Sequence, residues 1–360
     1  MKIFFKPFYL PWIKCNPTFR KFHPMETFIG PFLEGLRTDS SGLHISALSG
    51  LVLLGLFLLT KGGDFLTDGA SELARGLGVS PAIIGLTVVS ISTSAPELFT
   101  SLAAISGEAK NLIIGNVVGS NLANVGLVLG IAALVRPLKT QGALPHWQTN
   151  VLLLVTILFS ICCLWLGRES FGRGAGVLFV SILMVYLFFV TKGVAKERSN
   201  EASTDEDGAG ASSGKAILLV LGATVALWFG SEVLVIGAKG IAASFEVPQE
   251  LIGLTVLAIG TSLPELAATW ALAKRGESGM LLGNVVGSNL FNLTFVAGLA
   301  GTVSPIPVKA TLGQVEFPAM LFLTALLCWL SRRETITFRH GIILLAIYFA
   351  TISVSWVLHG

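Results

Sequence analysis

Charge is scarce in this chain. Asp, Glu, Lys and Arg make up 12% of its 360 residues, about half the share of an ordinary soluble domain. That is too little to cover a globule with solvated side chains. Cysteine is sparse as well: Cys162 and Cys163 are neighbours in an apolar run, while Cys15 and Cys328 stand alone. No disulfide framework and no zinc spacing follows from that pattern. The five histidines are scattered. A phosphate-binding Gly-Lys loop, a nucleophile elbow and a metalloprotease helix are all missing, which argues against ATP-driven pumping and hydrolysis. Runs of alternating polar and apolar residues are missing too, so strands are not expected, and an open sheet has no place in lipid. Nothing calls for nucleic acid as a partner.

What the chain has is apolar length. Residues of the hydrophobic classes make up 53% of it, gathered into segments of about 20, each enough to cross a hydrocarbon core about 30 Å thick. Ten such segments are centred near Leu54, Ile91, Val125, Leu154, Leu183, Ala223, Thr261, Phe291, Leu326 and Ala346. The expected fold is an all-α polytopic membrane protein with about ten transmembrane helices, embedded in the lipid bilayer.

The chain also repeats itself. GLTVVSISTSAPEL from Gly85 returns as GLTVLAIGTSLPEL from Gly253, and GNVVGSNLAN from Gly115 returns as GNVVGSNLFN from Gly283. One offset of 168 residues relates them, carrying Glu97 to Glu265, Asn124 to Asn292, Asp64 to Glu232 and Val79 to Val247. Two five-helix repeats are expected, 46–195 and 216–360, joined by a flexible polar linker over 196–215. Its sequence, rich in Ser, Gly and acids, favours a solvated tether. Five crossings per repeat is an odd number, so the second repeat enters from the opposite side and the two are inverted. Lys61, Arg75, Arg136, Lys139, Lys192, Lys196, Arg198, Lys215, Lys274, Arg275, Arg332, Arg333 and Arg339 fall on the linker side. Lys110, Arg168, Arg173, Lys239 and Lys309 fall on the other, with the basic residues of the N-terminal extension, which would add to that other side, set aside. This excess makes the linker cytoplasmic and puts both termini outside. Residues 1–45 form an extension whose apolar runs are short and broken by prolines. It reads as an interfacial or disordered arm, or as sequence ahead of a start at Met25, and does not resemble a cleaved signal peptide.

Each repeat carries one glutamate behind a proline and a hydroxyl cluster: Ser92-Thr93-Ser94-Ala95-Pro96-Glu97 and Gly260-Thr261-Ser262-Leu263-Pro264-Glu265. A carboxylate at membrane depth is costly, and by default functional. Proline removes one backbone donor and displaces the carbonyl four residues earlier. Broken helices at the midplane with free carbonyls at Ser92 and Gly260 are therefore expected. Helical spacing sets Thr93 and Ser94 on the face of Glu97, and Thr261 and Ser262 on the face of Glu265. On the following helix of each repeat, Ser120 shares a face with Asn124, and Ser288 with Asn292. Gly115 and Gly119, like Gly283 and Gly287, leave smooth strips for close helix packing. Asn116, Asn121, Asn284 and Asn289 are read as structural partners for the broken backbone. Asp64, Asp68, Glu72 and Glu232 lie near helix ends and are read as interfacial. The collected oxygens, without thiolate or imidazole, suit Na⁺, Ca²⁺ or Mg²⁺.

These doubled motifs, GTSLPEL followed by GN-V-V-GSN, resemble the sodium/calcium exchanger branch of the cation/calcium antiporter superfamily, in its prokaryotic ten-helix form. The resemblance runs from about Ser46 to the C-terminus. It implies secondary active exchange of Ca²⁺ for Na⁺ by alternating access, with sliding of two gating helices, in a prokaryotic inner membrane. It implies ion coordination by Thr93, Ser94, Glu97, Ser120 and Asn124, and by Thr261, Ser262, Glu265, Ser288 and Asn292, with backbone carbonyls near Ser90 and Ala258. No cofactor and no enzymatic activity are implied, and one chain holds both repeats, so a monomer suffices. Members of the best-characterised prokaryotic type often carry aspartate where this chain has Asn292. The first copy also has Ser92 where glycine precedes Thr-Ser. Glu97 and Glu265 are then the only acids of the two motifs, and their two charges balance one Ca²⁺. A carboxylate out of water can also take a proton in place of a cation. An H⁺-coupled cation antiporter and a passive cation channel stay open as alternatives, although the GN-x-x-E motif of the proton-coupled branch is absent.

Overall fold

The computed structural model describes residues 41–106, 110–166, 170–201, 212–245 and 260–359. Most of the expected N-terminal extension, together with Val247 and Ala258, lies outside the described residues.

The first repeat opens with α1 (Ser41–Leu77). α2 is assembled from Pro81–Ile84, a π turn at Gly85–Val89, and Ser90–Ser106. α3 comprises Ile113–Ala123, a π turn at Asn124–Val128, and Leu129–Val135. α4 (His146–Ile161) and α5 (Arg173–Glu201) complete it. The second repeat has α6 (Ser212–Ser244) and α7 (Leu263–Arg275). Then comes α8, built from Ser278–Phe291, a π turn at Asn292–Val296, and Ala297–Val303. α9 (Glu316–Leu330) and α10 (Phe338–His359) close the chain. Among the described residues nine helices are long and apolar enough to cross a membrane. The seventh expected crossing, centred near Thr261, is described only from Gly260 onward, and α7 belongs to it; 246–259 lie outside the described residues.

Helix boundaries follow local chemistry. Pro81 and Pro264 stand in the first turns of their helices, where a missing N–H costs nothing. Gly276, at φ 77°, caps α7 in a left-handed conformation that a side chain would strain. Two boundaries move from expectation. α5 continues to Glu201 and α6 starts at Ser212, so helix covers both ends of the stretch expected to be a tether, and 202–211 lies outside the described residues. α1 begins at Ser41, inside the segment assigned to the extension.

The inversion is visible in two short strand pairs. β1 (Leu138–Lys139) follows α3, and its equivalent β3 (Ile306–Pro307) follows α8 at the same offset of 168. β1 pairs antiparallel with β4 (Thr335–Ile336), and β3 with β2 (Ser170–Phe171). Each pair joins one repeat to the other. β1 lies between α3 and α4 and β2 between α4 and α5, so the two pairs sit at opposite ends of the bundle, as inverted repeats require.

α3 and α8 are the most buried crossings, and α1, α5 and α10 the least. Leu53, Phe57, Leu154, Phe188, Leu218 and Phe322 point outward. In a polytopic helical protein, that apolar exterior is the lipid face. α1 and α6 pack along each other on the periphery through a glycine strip. A Cβ at Gly55 would sit 2.7 Å from the Gly230 carbonyl oxygen, and one at Gly237 2.8 Å from that of Leu48. Such approach supplies the van der Waals contact that holds membrane helices together. Near the linker end, Arg275 of α7 hydrogen-bonds Asp68 of α1 and lies 3.9 Å from Asp64. Two of the acids read as interfacial thereby tie the repeats.

Candidate ion-binding site

α2 and α3 of the first repeat meet α7 and α8 of the second at the centre of the bundle. Glu97 and Glu265 are each 1% exposed. Their carboxyl groups lie near enough to act on one another electrostatically. Ser94 donates its hydroxyl to Glu265 Oε1 at 3.0 Å, a contact between repeats. Thr93 Oγ1 stands 3.3 Å from Ser288 Oγ, again between repeats. Ser120 acts on Glu97 from α3, but outside ordinary hydrogen-bond geometry, and both Glu97 oxygens have no protein partner.

Asn124 and Asn292 each open a π turn. A π turn inserts one residue into the helical register, and such insertions concentrate at functional sites. Both amides are buried, at 1% and 0% exposure, and neither their oxygens nor their nitrogens find a partner. Ser262 ends the turn before α7, buried, its hydroxyl also unpartnered. Together Glu97, Glu265, Ser120, Asn124, Ser262 and Asn292 leave nine buried polar atoms unpaired. Native proteins keep such atoms few, and a buried carboxylate without a partner is the most costly among them. Seven of the nine are oxygens, the other two being the amide nitrogens of Asn124 and Asn292, and such oxygens suit a cation of the Na⁺ or Ca²⁺ kind. Among the described residues no cluster of three His, Cys, Asp or Glu exists that would suit a softer metal.

The remaining expected positions divide. Thr261 is half-buried beside Ser262, and Ala258 lies outside the described residues. Ser90 gives its hydroxyl to the Leu86 carbonyl at 2.7 Å, while its own carbonyl oxygen lies 3.4 Å from Thr93 Oγ1, one of two acceptors within reach of that hydroxyl. The expectation of two broken helices needs correction. Pro96 lies inside the helix Ser90–Ser106, and the irregular part of α2 is the π turn upstream. Only the second copy turns, at Thr261–Ser262, ahead of α7. The Gly260 carbonyl, expected to be free, accepts a hydroxyl hydrogen from Ser231 of α6 at 2.6 Å. Ser231 was not legible from the repeat, because the offset carries it to Gly63, which has no hydroxyl. The structural reading of the second asparagine pair holds differently: Asn289 Nδ2 donates to the Asn121 carbonyl at 3.5 Å, joining the copies directly.

A doubled, inverted helix bundle enclosing two buried carboxylates and neutral oxygens defines a polytopic integral membrane protein with a polar centre. The chain belongs to the sodium/calcium exchanger protein family, whose pattern it matches over residues 47–192 and 215–357. It is 33% identical to the sodium/calcium exchanger MaX1 of Methanosarcina acetivorans, covering 83% of this chain and 96% of that one. It is 34% identical to an uncharacterized membrane protein of Methanocaldococcus jannaschii, covering 84% and 96%. Its fold matches a structure of the sodium-calcium exchanger NCX_Mj soaked with Na⁺ and Sr²⁺ at a TM-score of 0.75. That match has 32% identity and covers 86% of this chain and 99% of that one.

Proposed function

We propose that this chain exchanges Ca²⁺ for Na⁺ across the membrane, binding both at the site between α2, α3, α7 and α8. The observation that carries the reading is the concentration of nine unpaired buried polar atoms around Glu97 and Glu265. Two carboxylates neutralise one Ca²⁺, and the amide and hydroxyl oxygens replace its water. Na⁺ ions entering the same oxygens lower its affinity by occupying its ligands, so the gradient of one drives the other. The family membership and the likeness to NCX_Mj support this choice of ions.

Ligands contributed by both repeats suit a site reached from each side in turn. Toward the linker side α2 and α8 touch backbone to backbone: a Cβ at Gly85 would overlap the Met280 carbonyl, and one at Gly283 the Ala82 carbonyl. The equivalent positions toward the far side, Gly115, Asn116 and Gly119, are half-exposed, whereas Gly283, Asn284 and Gly287 are buried. This asymmetry supports access from the far side in the state described. The reading includes a prokaryotic inner membrane, a cytoplasmic linker, both termini outside, and a monomer as the working unit.

The test is radiolabelled Ca²⁺ uptake into proteoliposomes, comparing an outward Na⁺ gradient with an outward proton gradient at matched membrane potential. Uptake that requires internal Na⁺ supports the exchange. Uptake driven by protons alone overturns the assigned counter-ion, and uptake without either gradient makes the protein a channel.

A further inference from the structure

Asn284 lies outside the positions marked for coordination, yet it joins residues of α2, α7 and α8. It is 1% exposed. Its Nδ2 donates to Thr269 Oγ1 of α7 at 3.2 Å. Its Oδ1 accepts from Thr93 Oγ1 of α2 and from Ser288 Oγ of its own helix, both at 3.4 Å. A hydroxyl has one hydrogen to give and two lone pairs to offer. When the hydrogen goes to the amide oxygen, the lone pairs are left on the far side of the hydroxyl, where a cation needs them. Were the amide reversed, its N–H groups would consume those lone pairs instead. In the structure the amide nitrogen faces Thr269, whose oxygen accepts from it, and the amide oxygen faces the two hydroxyls.

The duplication supplies an internal contrast. The offset of 168 carries Asn284 to Asn116, Thr269 to Ser101, Ser288 to Ser120 and Thr93 to Thr261. In that copy the tie is not made: Asn116 Nδ2, Ser101 Oγ and Ser120 Oγ are all buried without partners. One molecule therefore holds a hydroxyl tied to an asparagine amide, Ser288, and an equivalent one that is not, Ser120.

We propose that Asn284, locked by Thr269, is a positioning residue that takes the hydroxyl hydrogens of Thr93 and Ser288 and so presents their oxygens to the transported cation. The proposal rests on the reading of the site given above. Neither Asn284 nor Thr269 touches the ion. Their contribution is the direction of two hydroxyls, one from each repeat.

The experiment is thermal unfolding of the purified full chain in detergent, titrated separately with CaCl₂, NaCl, MgCl₂ and KCl, with choline chloride as the ionic-strength control. It compares the unsubstituted protein with Thr269→Val, which keeps the shape and removes the hydroxyl, and Thr269→Ser, which restores it. Thr269→Val is expected to raise the half-saturating Ca²⁺ concentration roughly fivefold, the loss of about one hydrogen bond's worth of direction. The ion-free midpoint should stay within a few degrees, and Thr269→Ser should bind as the unsubstituted protein does. A lowered ion-free midpoint with an unchanged half-saturating concentration in Thr269→Val means a purely structural contact and overturns the proposal. Should Thr269→Val not yield folded protein, Thr269→Ala is read in the same way. If a cation other than Ca²⁺ or Na⁺ stabilises the unsubstituted protein, the choice of transported ions falls, and the positioning role is judged with that cation. If no cation stabilises it, both fall.

Discussion

The two copies of the proline motif share Thr-Ser-x-Pro-Glu-Leu and adopt different backbones. In α2 the helix runs through Ser92, Thr93, Ser94 and Pro96 without a break. In the second copy the chain turns at Thr261–Ser262, and α7 starts afresh with Pro264 in its first turn. The difference begins one residue upstream, where Ser92 in one copy answers to Gly260 in the other. Gly260 lies so close to α6 that a Cβ would overlap Cγ2 of Val235, and its carbonyl is held by Ser231. The motif thus permits both a continuous and a turned backbone, and its neighbours choose between them. In the exchange proposed above that is a useful property, since each of two inverted copies would serve while the other faces the opposite side.

The comparison extends to the glutamates and gives the largest expected effect. Glu265 receives a hydrogen bond from Ser94, whereas neither oxygen of Glu97 has a protein partner. Glu97→Gln and Glu265→Gln should each abolish Ca²⁺-dependent stabilisation and reduce Na⁺-driven uptake at least a hundredfold. The ion-free proteins should differ. Replacing an unpaired buried carboxyl relieves a cost that replacing a bonded one does not. Glu97→Gln should therefore raise the ion-free melting midpoint by about 2–4 °C, a gain of roughly 1 kcal/mol, with Glu265→Gln near or below the starting value. Equal midpoints for the two variants would erase the distinction between the copies.

A second effect, smaller but still an order of magnitude, concerns charge. Asn124 and Asn292 occupy equivalent buried places at their π turns and carry no charge. Asn292→Asp would give the second copy a carboxylate that the first lacks. Near the existing pair, a third negative charge strengthens binding of additional monovalent cations by roughly tenfold, since about 1.4 kcal/mol is modest for charges a few ångströms apart. The half-maximal Na⁺ concentration for driving Ca²⁺ uptake should fall accordingly, with a steeper dependence on Na⁺. An unchanged Na⁺ dependence would place Asn292 away from the ions.

The crossings, the duplication, the inversion and both glutamates could be read from the sequence, because each depends on long apolar runs or on spacing that a lipid environment makes strict. The backbone at the site could not. Nothing local in GSNLAN or GSNLFN marks a π turn, whose extra residue answers to packing around Asn124 and Asn292. Pro96 and Pro264 stand in matching words, and a helix break was expected at both, because proline chemistry alone does not register the glycine and the valine that decide it. Ser231 escaped for a different reason: it has no counterpart in the first copy, so the repeat that exposed everything else concealed it. Thr269 and Asn284 escaped because small polar residues are common in membrane helices, and only their mutual distance distinguishes them.

The smallest effect tests the residue that separates the two backbones. Gly260→Ser would press a side chain into Val235, and overpacking of this sort costs about 1–3 kcal/mol. Ser92→Gly, the reverse exchange, removes no such contact; it adds only chain freedom inside a helix, worth about 0.5–1 kcal/mol. Both variants should fold, with melting midpoints lowered in that order. Their effects on transport should differ in kind. Gly260→Ser displaces the carbonyl that Ser231 holds, and with it the turn that carries Ser262 to the site, so the half-saturating Ca²⁺ concentration should rise severalfold. Ser92→Gly leaves Thr93 and Ser94 on a continuous helix, so that concentration should stay within about twofold. If Ser92→Gly instead weakens Ca²⁺ as much as Gly260→Ser, then both copies need their own residue at this position for binding. The turned backbone would then belong to the motif, and not to the neighbours that surround it.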